Sequence, residues 1–432
     1  MKEIEFLSEI SAKDDGKKIA MHGWVKDIRD LGGLKFLLVR DRTSEVQVTC
    51  IKGKTSEKIF SKVSNIPRES AVRITGVVKK TNKTRSGVEI IPIDIDILAK
   101  SESPLPLDMV KESSVDKRFD NRFLDLRRRK NTLIFIIKSK MFKYAREFLD
   151  KKGFIEIQTP KIVSVGAEGG ATLFPLVYFD KEAYLAQSPQ FYKQMMQSAG
   201  FSKVYEISPA FRAELSHTTR HVSEFISLDV EMSFIDGIDA LINLHEDLII
   251  YMFKKLKEND GKELTELGID IKIPKKPFPR MSLKEVEKFT KKHASISVGA
   301  ELGTEEEKLL GELVKKKYKH DFVFVTEFPW SARPFYHMKD GNITRSFDLL
   351  YKGLEISTGA QREHRIDILK KQAAERNISE ESLKYYLQCF KYGMPPHGGF
   401  GTGLERILEK LLNLRSVKEA ILFPRDPDRL VP

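Results

Sequence analysis

The chain has 432 residues, of which 41% are hydrophobic and 31% are charged, and this composition excludes a wholly disordered protein. The net charge of +12 indicates a polyanionic partner such as nucleic acid. The two cysteines, Cys50 and Cys389, exclude a disulfide scaffold and a multi-cysteine zinc site. We find neither a signal peptide nor an apolar run of about 20 residues, so we expect a cytoplasmic protein without a membrane span.

The first part of the chain, residues 1–102, is predicted to form short β-strands. The β-rich runs are Lys18–Val25, Lys35–Val39, Val46–Ile51, Ala71–Val78 and Val88–Ile97. Five strands in about 100 residues are typical of a small closed barrel such as an OB-fold. A proline-containing stretch over 103–132 is predicted to be a hinge or linker. Its basic run at 127–130 fits either a solvated helix end or a contact with nucleic acid.

The rest of the chain, residues 133–432, is predicted to be an α+β domain. A helix is expected over Lys138–Lys152, followed by a strand over Phe154–Thr159 that stops at Pro160. Further strands are predicted at Tyr205–Ile207, Ser227–Met232, Phe322–Val325 and Leu354–Ser357, and further helices at Ile238–Lys257 and Glu305–Lys319. These strands do not alternate regularly with helices, which favours a largely antiparallel sheet.

Charged groups crowd a predicted hairpin between two of these strands. The sequence Phe-Arg-Ala-Glu at 211–214 follows one strand, and a loop containing Arg220 and His221 leads to the next, which begins at Phe225. Arginine forks suit phosphate oxygens, and a glutamate can accept from an amino group. The same residues also fit a surface hairpin with local ion pairs.

A glycine-rich segment at 398–403 is predicted to be a loop that leads into a helix carrying Arg406. Glycines let a ligand approach the backbone, and the arginine can meet a phosphate near the helix start. The segment is neither a Walker loop nor a Rossmann turn.

A third segment, at 353–362, offers oxygen ligands and an arginine. A bend at Gly359 would bring Glu355 and Thr358 to one cation, and Mg²⁺ prefers such hard oxygen ligands. The alternative is a half-buried Glu355 carboxylate paired with Arg362.

Together with Gly-Phe-Ile-Glu-Ile-Gln-Thr-Pro at 153–160, these segments resemble the three signature motifs of class II aminoacyl-tRNA synthetases. Segments 168–170, 187–194, 347–350 and 422–426 are similar to those of the archaeal/eukaryotic type of aspartyl-tRNA synthetase. The resemblance implies a homodimer with the segment around Pro160 at its interface. It also implies two steps, in which aspartate and ATP form aspartyl-adenylate and the aspartyl group then passes to the 3′ end of tRNA(Asp). Whether tRNA(Asn) is also charged stays open.

The resemblance also implies roles for individual residues, with Arg212 and Arg406 as catalytic groups. The implied aspartate-binding residues are Glu168, Gln190, Lys193, Arg212, Thr358 and Arg362. The implied ATP-binding residues are Arg212, Ala213, Glu214, Arg220, His221, Val222, Phe225, Glu355, Gly403, Leu404, Glu405 and Arg406. Glu355 and Thr358 match Mg²⁺ ligands, Asp348 is a further candidate for the metal network, and Asp229 is one for the aspartate site. The family commonly has serine where Thr358 stands, and threonine keeps the hydroxyl but adds a methyl group.

The barrel is implied to bind the tRNA anticodon, because OB-folds bind single strands by stacking bases on aromatic side chains. The implied contact residues are Arg29, Phe36, Gln47, Arg85 and Glu89. Phe36 also fits a core position. In the family, a basic residue where Arg85 stands tends to accompany strict selection of tRNA(Asp), whereas Lys26 matches neither usual residue at a second such position.

Other functions remain compatible with these motifs. Asparaginyl-tRNA synthetase shares all three, although a neutral amide does not call for cations such as Lys193. Lysyl-tRNA synthetase should offer acids to its substrate's side chain. A non-catalytic tRNA-binding paralogue usually loses a motif arginine, yet both Arg212 and Arg406 are present. An ammonia-using asparagine synthetase on the same catalytic fold is associated with loss of the barrel, which this chain keeps.

Overall fold

A computed structural model of the chain describes residues 1–166, 172–215, 220–292 and 299–432. The chain divides into two compact units, Met1–Thr132 and Leu133–Pro432. The segment 103–132, predicted as a linker, belongs to the first unit and carries two short helices. Within the described ranges, none of the helices combines the length and apolar character that crossing a membrane requires.

The first unit is built around a closed sheet. Its elements are β1 (Lys2–Glu3), β2 (Lys18–Asp30), β3 (Leu34–Arg40), β4 (Glu45–Ile51), α1 (Glu57–Val63), β5 (Ala71–Lys80), β6 (Val88–Ala99), α2 (Val115–Asp120), α3 (Arg122–Asp125) and the start of α4 (Arg129–Lys151). The strand order is β1-β2-β3-β4-β6-β5, and β2 also pairs with β5, which closes the sheet. The predicted small closed barrel is therefore confirmed.

Alternation along β3 decides which side chains fill this barrel. Leu37 and Val39 are fully buried in its core, whereas Phe36 is half-buried on the other face. The core interpretation of Phe36 is therefore wrong.

The basic run at 127–130 is held by contacts within its own unit. Arg127 lies 3.1 Å from the Glu69 carboxylate, which also pairs with the buried Arg40 at 2.6 Å. Arg128 donates to the carbonyl of Lys111 at 2.8 Å. These contacts all lie within the first unit.

The second unit contains a larger sheet. The strands of this unit, not all of which belong to that sheet, are β7 (Ile155–Glu156), β8 (Ile162–Val163), β9 (Pro175–Tyr178), β10 (Lys181–Leu185), β11 (Lys203–Phe211), β12 (Glu224–Ser233), β13 (Arg280–Ser282), β14 (Phe322–Thr326), β15 (Lys339–Asp340), β16 (Ile343–Thr344), β17 (Ser346–Tyr351), β18 (Leu354–Gln361) and β19 (His397–Gly403). Its helices, after α4, are α5 (Gln190–Ser198), α6 (Asp239–Asn259), α7 (Gly261–Glu266), α8 (Leu283–Lys291), α9 (Thr304–Tyr318), α10 (Ile366–Glu375), α11 (Lys384–Phe390) and α12 (Leu404–Leu412).

The main sheet has the order β13-β14-β17-β18-β19-β12-β11-β7. Neighbouring strands from β14 to β11 run antiparallel, and only the edge pairs β13–β14 and β11–β7 are parallel in the described sheet. The predicted antiparallel α+β domain is confirmed. The apolar sides of α4, α6 and α12 share one core with Leu228 and Val230 of β12. Because side chains alternate along a strand, Ser227 and Asp229 face the opposite side of the sheet.

Three local predictions differ from the structure. The glycine-rich segment at 398–403 is not a loop but the central strand β19. A Cβ on Gly399 would lie 1.9 Å from the Val230 carbonyl oxygen, so glycine is required by close strand packing. The irregularity in β18 is a bulge at Ile356, since Leu349 pairs with Ser357 and Leu350 with Glu355, rather than a bend at Gly359. The strand expected over Phe154–Thr159 is limited to β7.

Candidate active site

A cavity of about 390 Å³ lies on one face of the main sheet. The apolar core shared by α4, α6 and α12 lies on the opposite face. Residues of α5, β12, β18 and β19 line it, together with the segment 332–337. Its lining includes the hairpin, the β18 segment and the end of β19, which the sequence singled out separately. The fold therefore brings these three segments to one site.

Lys193 of α5 lies at the buried floor of this cavity. Its Nζ donates to Asp229 Oδ1 at 2.9 Å and lies 3.5 Å from Glu231 Oε2. Asp229 Oδ2 also accepts from the Ser227 hydroxyl at 2.6 Å. The two carboxylates stand on the same face of β12 because they are two residues apart.

Arg362 is the second cation of the floor. Its Nε and Nη2 donate to the two Glu231 carboxylate oxygens at 3.1 and 3.3 Å. Its Nη1 lies 3.0 Å from Nε2 of His337. The alternative in which Arg362 pairs with Glu355 is therefore wrong. Lys193 and Arg362 balance two acids, and a ligand carboxylate would use the donors that remain.

Two further residues were predicted for the same substrate. Gln190 is the first residue of α5 and is buried, and within the described part of the chain its Nε2 has no hydrogen-bond partner. A buried unsatisfied amide at the cavity wall is suited to a polar ligand. Glu168 lies outside the described residues.

The β11–β12 hairpin supplies one wall of the cavity. The guanidinium of Arg212 lies 5.5 Å from the centroid of the Phe225 ring, and its Nη1 is 3.9 Å from Glu214 Oε1. The His221 ring nitrogen Nε2 is 3.6 Å from Glu214 Oε2. Burial holds the pKa of His221 below its ordinary value, opposed by the Glu214 carboxylate.

Arg220, in the same loop, reaches the first turns of α9. Its Nη1 donates to Thr304 Oγ1 at 2.8 Å, and its Nη2 pairs with the Glu307 carboxylate. Glu307 Oε2 also accepts from the backbone N–H of Glu355 at 2.9 Å. Burial raises the pKa of Glu307 although Arg220 opposes the shift. Helix α9 therefore holds an arginine that was predicted to bind phosphates.

Arg406 of α12 reaches back over β18 to Glu355. Its Nη1 donates to the Glu355 carbonyl at 2.9 Å and lies 3.7 Å from the carboxylate Oε1. Thr358 Oγ1 donates to the same Oε1 at 3.2 Å. The bulge at Ile356 interrupts the strand's alternation and thereby lets Glu355 and Thr358 meet.

Asp348 of β17 adds a third oxygen group to this wall. Its Oδ2 accepts from Arg333 Nη2 at 2.6 Å, whereas among the described residues its buried Oδ1 has no hydrogen-bond partner. Burial raises the pKa of Asp348 to about 6. The described residues contain no group of three or more His, Cys, Asp or Glu that could hold a metal ion. Two carboxylates and a hydroxyl nevertheless fit Mg²⁺, which often takes one or two carboxylates together with phosphate oxygens.

The other predicted ATP-site residues divide into two groups. Val222, Gly403 and Glu405 line the cavity. Leu404 is instead buried in the apolar core, and in the described structure neither it nor Ala213 belongs to the lining.

Several of the predicted anticodon residues share one outer face of the barrel. Phe36 of β3 stands opposite Thr49 of β4, and Gln47 stands opposite Glu89 of β6. The Thr49 hydroxyl donates to Glu89 Oε2 at 2.6 Å and lies 3.2 Å from Gln47 Nε2. This row places an aromatic ring beside amide and carboxylate groups that can contact base edges.

The two other predicted anticodon residues are Arg29, which extends this row onto β2, and Arg85, which lies outside it. Arg29 of β2 is exposed and pairs across the strands with Phe36. Arg85 is exposed in the turn between β5 and β6.

Comparison with protein families agrees with this arrangement. Residues 114–427 match the family model described as tRNA synthetases class II (D, K and N), and residues 19–98 match an OB-fold nucleic acid binding domain. The chain belongs to the class II tRNA synthetases. The OB-fold prediction for the barrel of this synthetase is likewise confirmed.

Named relatives of the synthetase match it over its full length. The chain is 45% identical to an aspartate–tRNA(Asp) ligase of Pyrococcus abyssi over 100% of both chains. It is 45% identical to an aspartate–tRNA(Asp/Asn) ligase of Methanopyrus kandleri over 99% of both. Among solved structures, an asparaginyl-tRNA synthetase of Pyrococcus horikoshii bound to asparaginyl-adenylate matches with a TM-score of 0.93, 33% identity and complete coverage of both chains.

Sequence reasoning missed three residues of the synthetase site. Glu231 was available from the pattern Asp-Val-Glu at 229–231, because residues two apart share a strand face. His337 and Arg333 lie in a segment that the structure describes as largely irregular, so no periodicity marks them. Only the fold brings them beside Arg362 and Asp348.

Proposed function

We propose that this synthetase activates L-aspartate with ATP and transfers it to tRNA(Asp), which makes it an aspartate–tRNA ligase. The observation that carries the proposal is the pair of buried cations, Lys193 and Arg362, at the cavity floor. Both side chains can only donate hydrogen bonds, so they suit both oxygens of a ligand carboxylate. The amide of asparagine would turn its NH₂ group toward a donor, and the side chain of lysine would add a third cation. The names of the relatives at 45% identity support the same substrate.

The cavity's arginines favour an enzyme over a non-catalytic RNA-binding protein. Arg212 and Arg406 both line the cavity, Arg212 from the β11–β12 hairpin and Arg406 from α12. The first step needs no general base, because the α-carboxylate of aspartate is already a nucleophile. Its oxygen forms a bond to the α-phosphorus while the bond to pyrophosphate breaks. Arg212 would stabilise the negative charge that builds on the α-phosphate in the transition state.

Other cavity residues would hold ATP around this reaction. Phe225 offers a ring on which adenine can stack, and Glu214 offers an acceptor for the adenine amino group. Arg220, His221 and Arg406 would donate to the β- and γ-phosphates. Before doing so, Arg220 must leave Glu307.

Mg²⁺ would be held by oxygens of Glu355, Thr358 and Asp348 at the wall beside Arg406. When bound, the ion supplies positive charge against the phosphates. The buried Asp348 Oδ1, which lacks a hydrogen-bond partner among the described residues, supports this assignment.

The barrel would bind the anticodon through the outer face that carries Phe36, Gln47 and Glu89, with Arg29 and Arg85 at its margins. The curated relatives include ligases named for tRNA(Asp) and for tRNA(Asp/Asn), so tRNA(Asn) is proposed as a second acceptor to be tested. We place the enzyme in the cytoplasm. Its homodimer would form around Pro160, where Ile155 and Ile162 are 47% and 48% exposed on the single chain.

The experiment that tests this function is the charging of labelled aspartate onto tRNA(Asp) and tRNA(Asn) transcripts side by side. We expect charging of tRNA(Asp). A lack of charge on both transcripts would overturn the proposal, and comparable charge on both would make the enzyme a relaxed one. Labelled asparagine serves as the competing substrate, and its preferential transfer would favour the asparaginyl alternative.

A further inference from the structure

His337 is a buried histidine at the cavity floor that the proposed mechanism does not use. It is 2% exposed, and its Nε2 lies 3.0 Å from Nη1 of Arg362. The two residues also form a backbone bridge, and the Gln372 side chain donates to the His337 carbonyl at 3.0 Å. The imidazole is therefore fixed relative to Arg362 through both side chain and backbone.

The chemistry of this contact sets the protonation state of the ring. Arginine has no acceptor, so a hydrogen bond between the two side chains requires His337 Nε2 to carry a lone pair and the proton to sit on Nδ1. Burial, followed by the nearby charges of Arg362, Arg333 and Lys193, holds the pKa of His337 well below its ordinary value. The ring is thus neutral over the working range of pH and acts as an acceptor.

The contact also limits the freedom of the arginine. Of the five N–H groups of a guanidinium, Glu231 takes one on Nε and one on Nη2, and His337 takes one on Nη1. As far as the described residues show, one N–H therefore remains on each terminal nitrogen. A flat group held at all three nitrogens has little rotation left, so its two remaining donors have a defined direction.

We infer that His337 is a positioning residue, which orients the Arg362 guanidinium for the side-chain carboxylate of the amino acid and so strengthens selection of aspartate over asparagine. This inference rests on the proposed function, because it assumes that Arg362 contacts that carboxylate. His337 accepts a hydrogen bond from Nη1, the guanidinium nitrogen that Glu231 does not contact. Glu231 and His337 together therefore hold all three nitrogens of the guanidinium, which Glu231 does not do alone. A misoriented arginine would still be charged but would lose its fixed pair of donors.

The test compares His337→Phe with His337→Gln in amino-acid-dependent pyrophosphate exchange with ATP. Phenylalanine keeps the ring volume and removes the acceptor, whereas glutamine keeps an oxygen acceptor at a similar reach. We expect His337→Phe to raise the KM for aspartate about 10- to 100-fold while the KM for ATP stays within about 2-fold. His337→Gln should recover most of the aspartate KM, and the preference for aspartate over asparagine should fall in His337→Phe only.

The matched control is His245→Phe, since His245 is also fully buried but stacks on Phe400 and does not contact Arg362. It should produce no selective change in the aspartate KM. An unchanged aspartate KM in His337→Phe, or equal losses in the Phe and Gln variants, would overturn the inference while leaving the enzyme's function intact. If His337→Phe does not fold, His337→Asn replaces it in the test. The asparagine side chain is too short for its oxygen to reach Arg362, so this variant also removes the acceptor. A native enzyme without aspartate-dependent exchange would overturn the proposed function and this inference together.

Discussion

The ammonium of Lys193 donates to the carboxylate of Asp229 at 2.9 Å, and both side chains are almost completely buried. Glu231 lies 3.5 Å from the same ammonium and is shared with Arg362. Two cations and two carboxylates thus form one connected network beneath the cavity. Each charge is tolerated away from water because it has an opposite charge next to it.

Replacing Lys193 by methionine tests this network. We expect the kcat/KM for aspartate in pyrophosphate exchange to fall about 30-fold or more, because truncating one partner of a buried charge pair costs roughly 2–5 kcal/mol. The free energy of unfolding in urea should fall by about 3 kcal/mol or more, since Asp229 loses its only close cation among the described residues. Lys151→Met is the control, because Lys151 is exposed and its ion pair with Glu147 contributes little. An unchanged kcat/KM for aspartate would contradict the assignment of Lys193.

The pairing of Arg220 with Glu307 predicts a competition with ATP. If the phosphates must draw Arg220 away from α9, Glu307→Gln should lower the KM for ATP by about 5-fold or more, because a neutral amide holds the guanidinium less strongly than the buried carboxylate does. Pyrophosphate exchange at varied ATP concentration measures the effect. Glu305→Gln, an exposed change on the same helix, should leave the KM for ATP as it is. A higher KM for ATP in Glu307→Gln would show that Glu307 instead holds Arg220 ready for the phosphates.

Phe36→Ala separates the two units of the enzyme by function. Because Phe36 lies on the outer face of β3, its loss should spare the barrel core and pyrophosphate exchange. Charging of tRNA(Asp) should weaken by about 1–3 kcal/mol in kcat/KM, the usual value of one base stacked on an aromatic ring. Ile93→Ala removes another exposed apolar side chain of the barrel and serves as control. Equal losses of exchange and charging would mean that Phe36 acts through stability.

Local sequence patterns were sufficient where the structure is set by neighbours along the chain. Alternation located the barrel strands, although it left open whether Phe36 faces the core, which the burial of its neighbour Leu37 decides. Local patterns failed where the structure depends on pairing between segments that are distant in the sequence. The run around Gly399 has the composition of a loop, and only the approach of Val230 on the adjacent strand makes it a strand.

The same distinction applies within the site. The motif residues Arg212 and Arg406 were predictable because their short segments are characteristic, and the fold brings both to one cavity. The contact of Arg362 with Glu231 joins residues 131 positions apart, and that with His337 joins residues 25 apart. No periodicity extends over such separations, so these partners were visible only after folding.

His245 predicts how the stability of the enzyme depends on pH. Burial lowers the pKa of this histidine from 6.5 to about 3. Between these values the unfolded chain binds a proton that the folded chain excludes, so the free energy of unfolding should fall as the pH drops below 6.5. Above pH 6.5 the contribution of His245 to the free energy of unfolding no longer changes with pH. His245→Phe should remove up to about 1.4 kcal/mol per pH unit from the slope in this window, as measured by urea unfolding between pH 7 and about 4.5. An equal slope in the native protein and in His245→Phe would mean that His245 already binds a proton in the folded state.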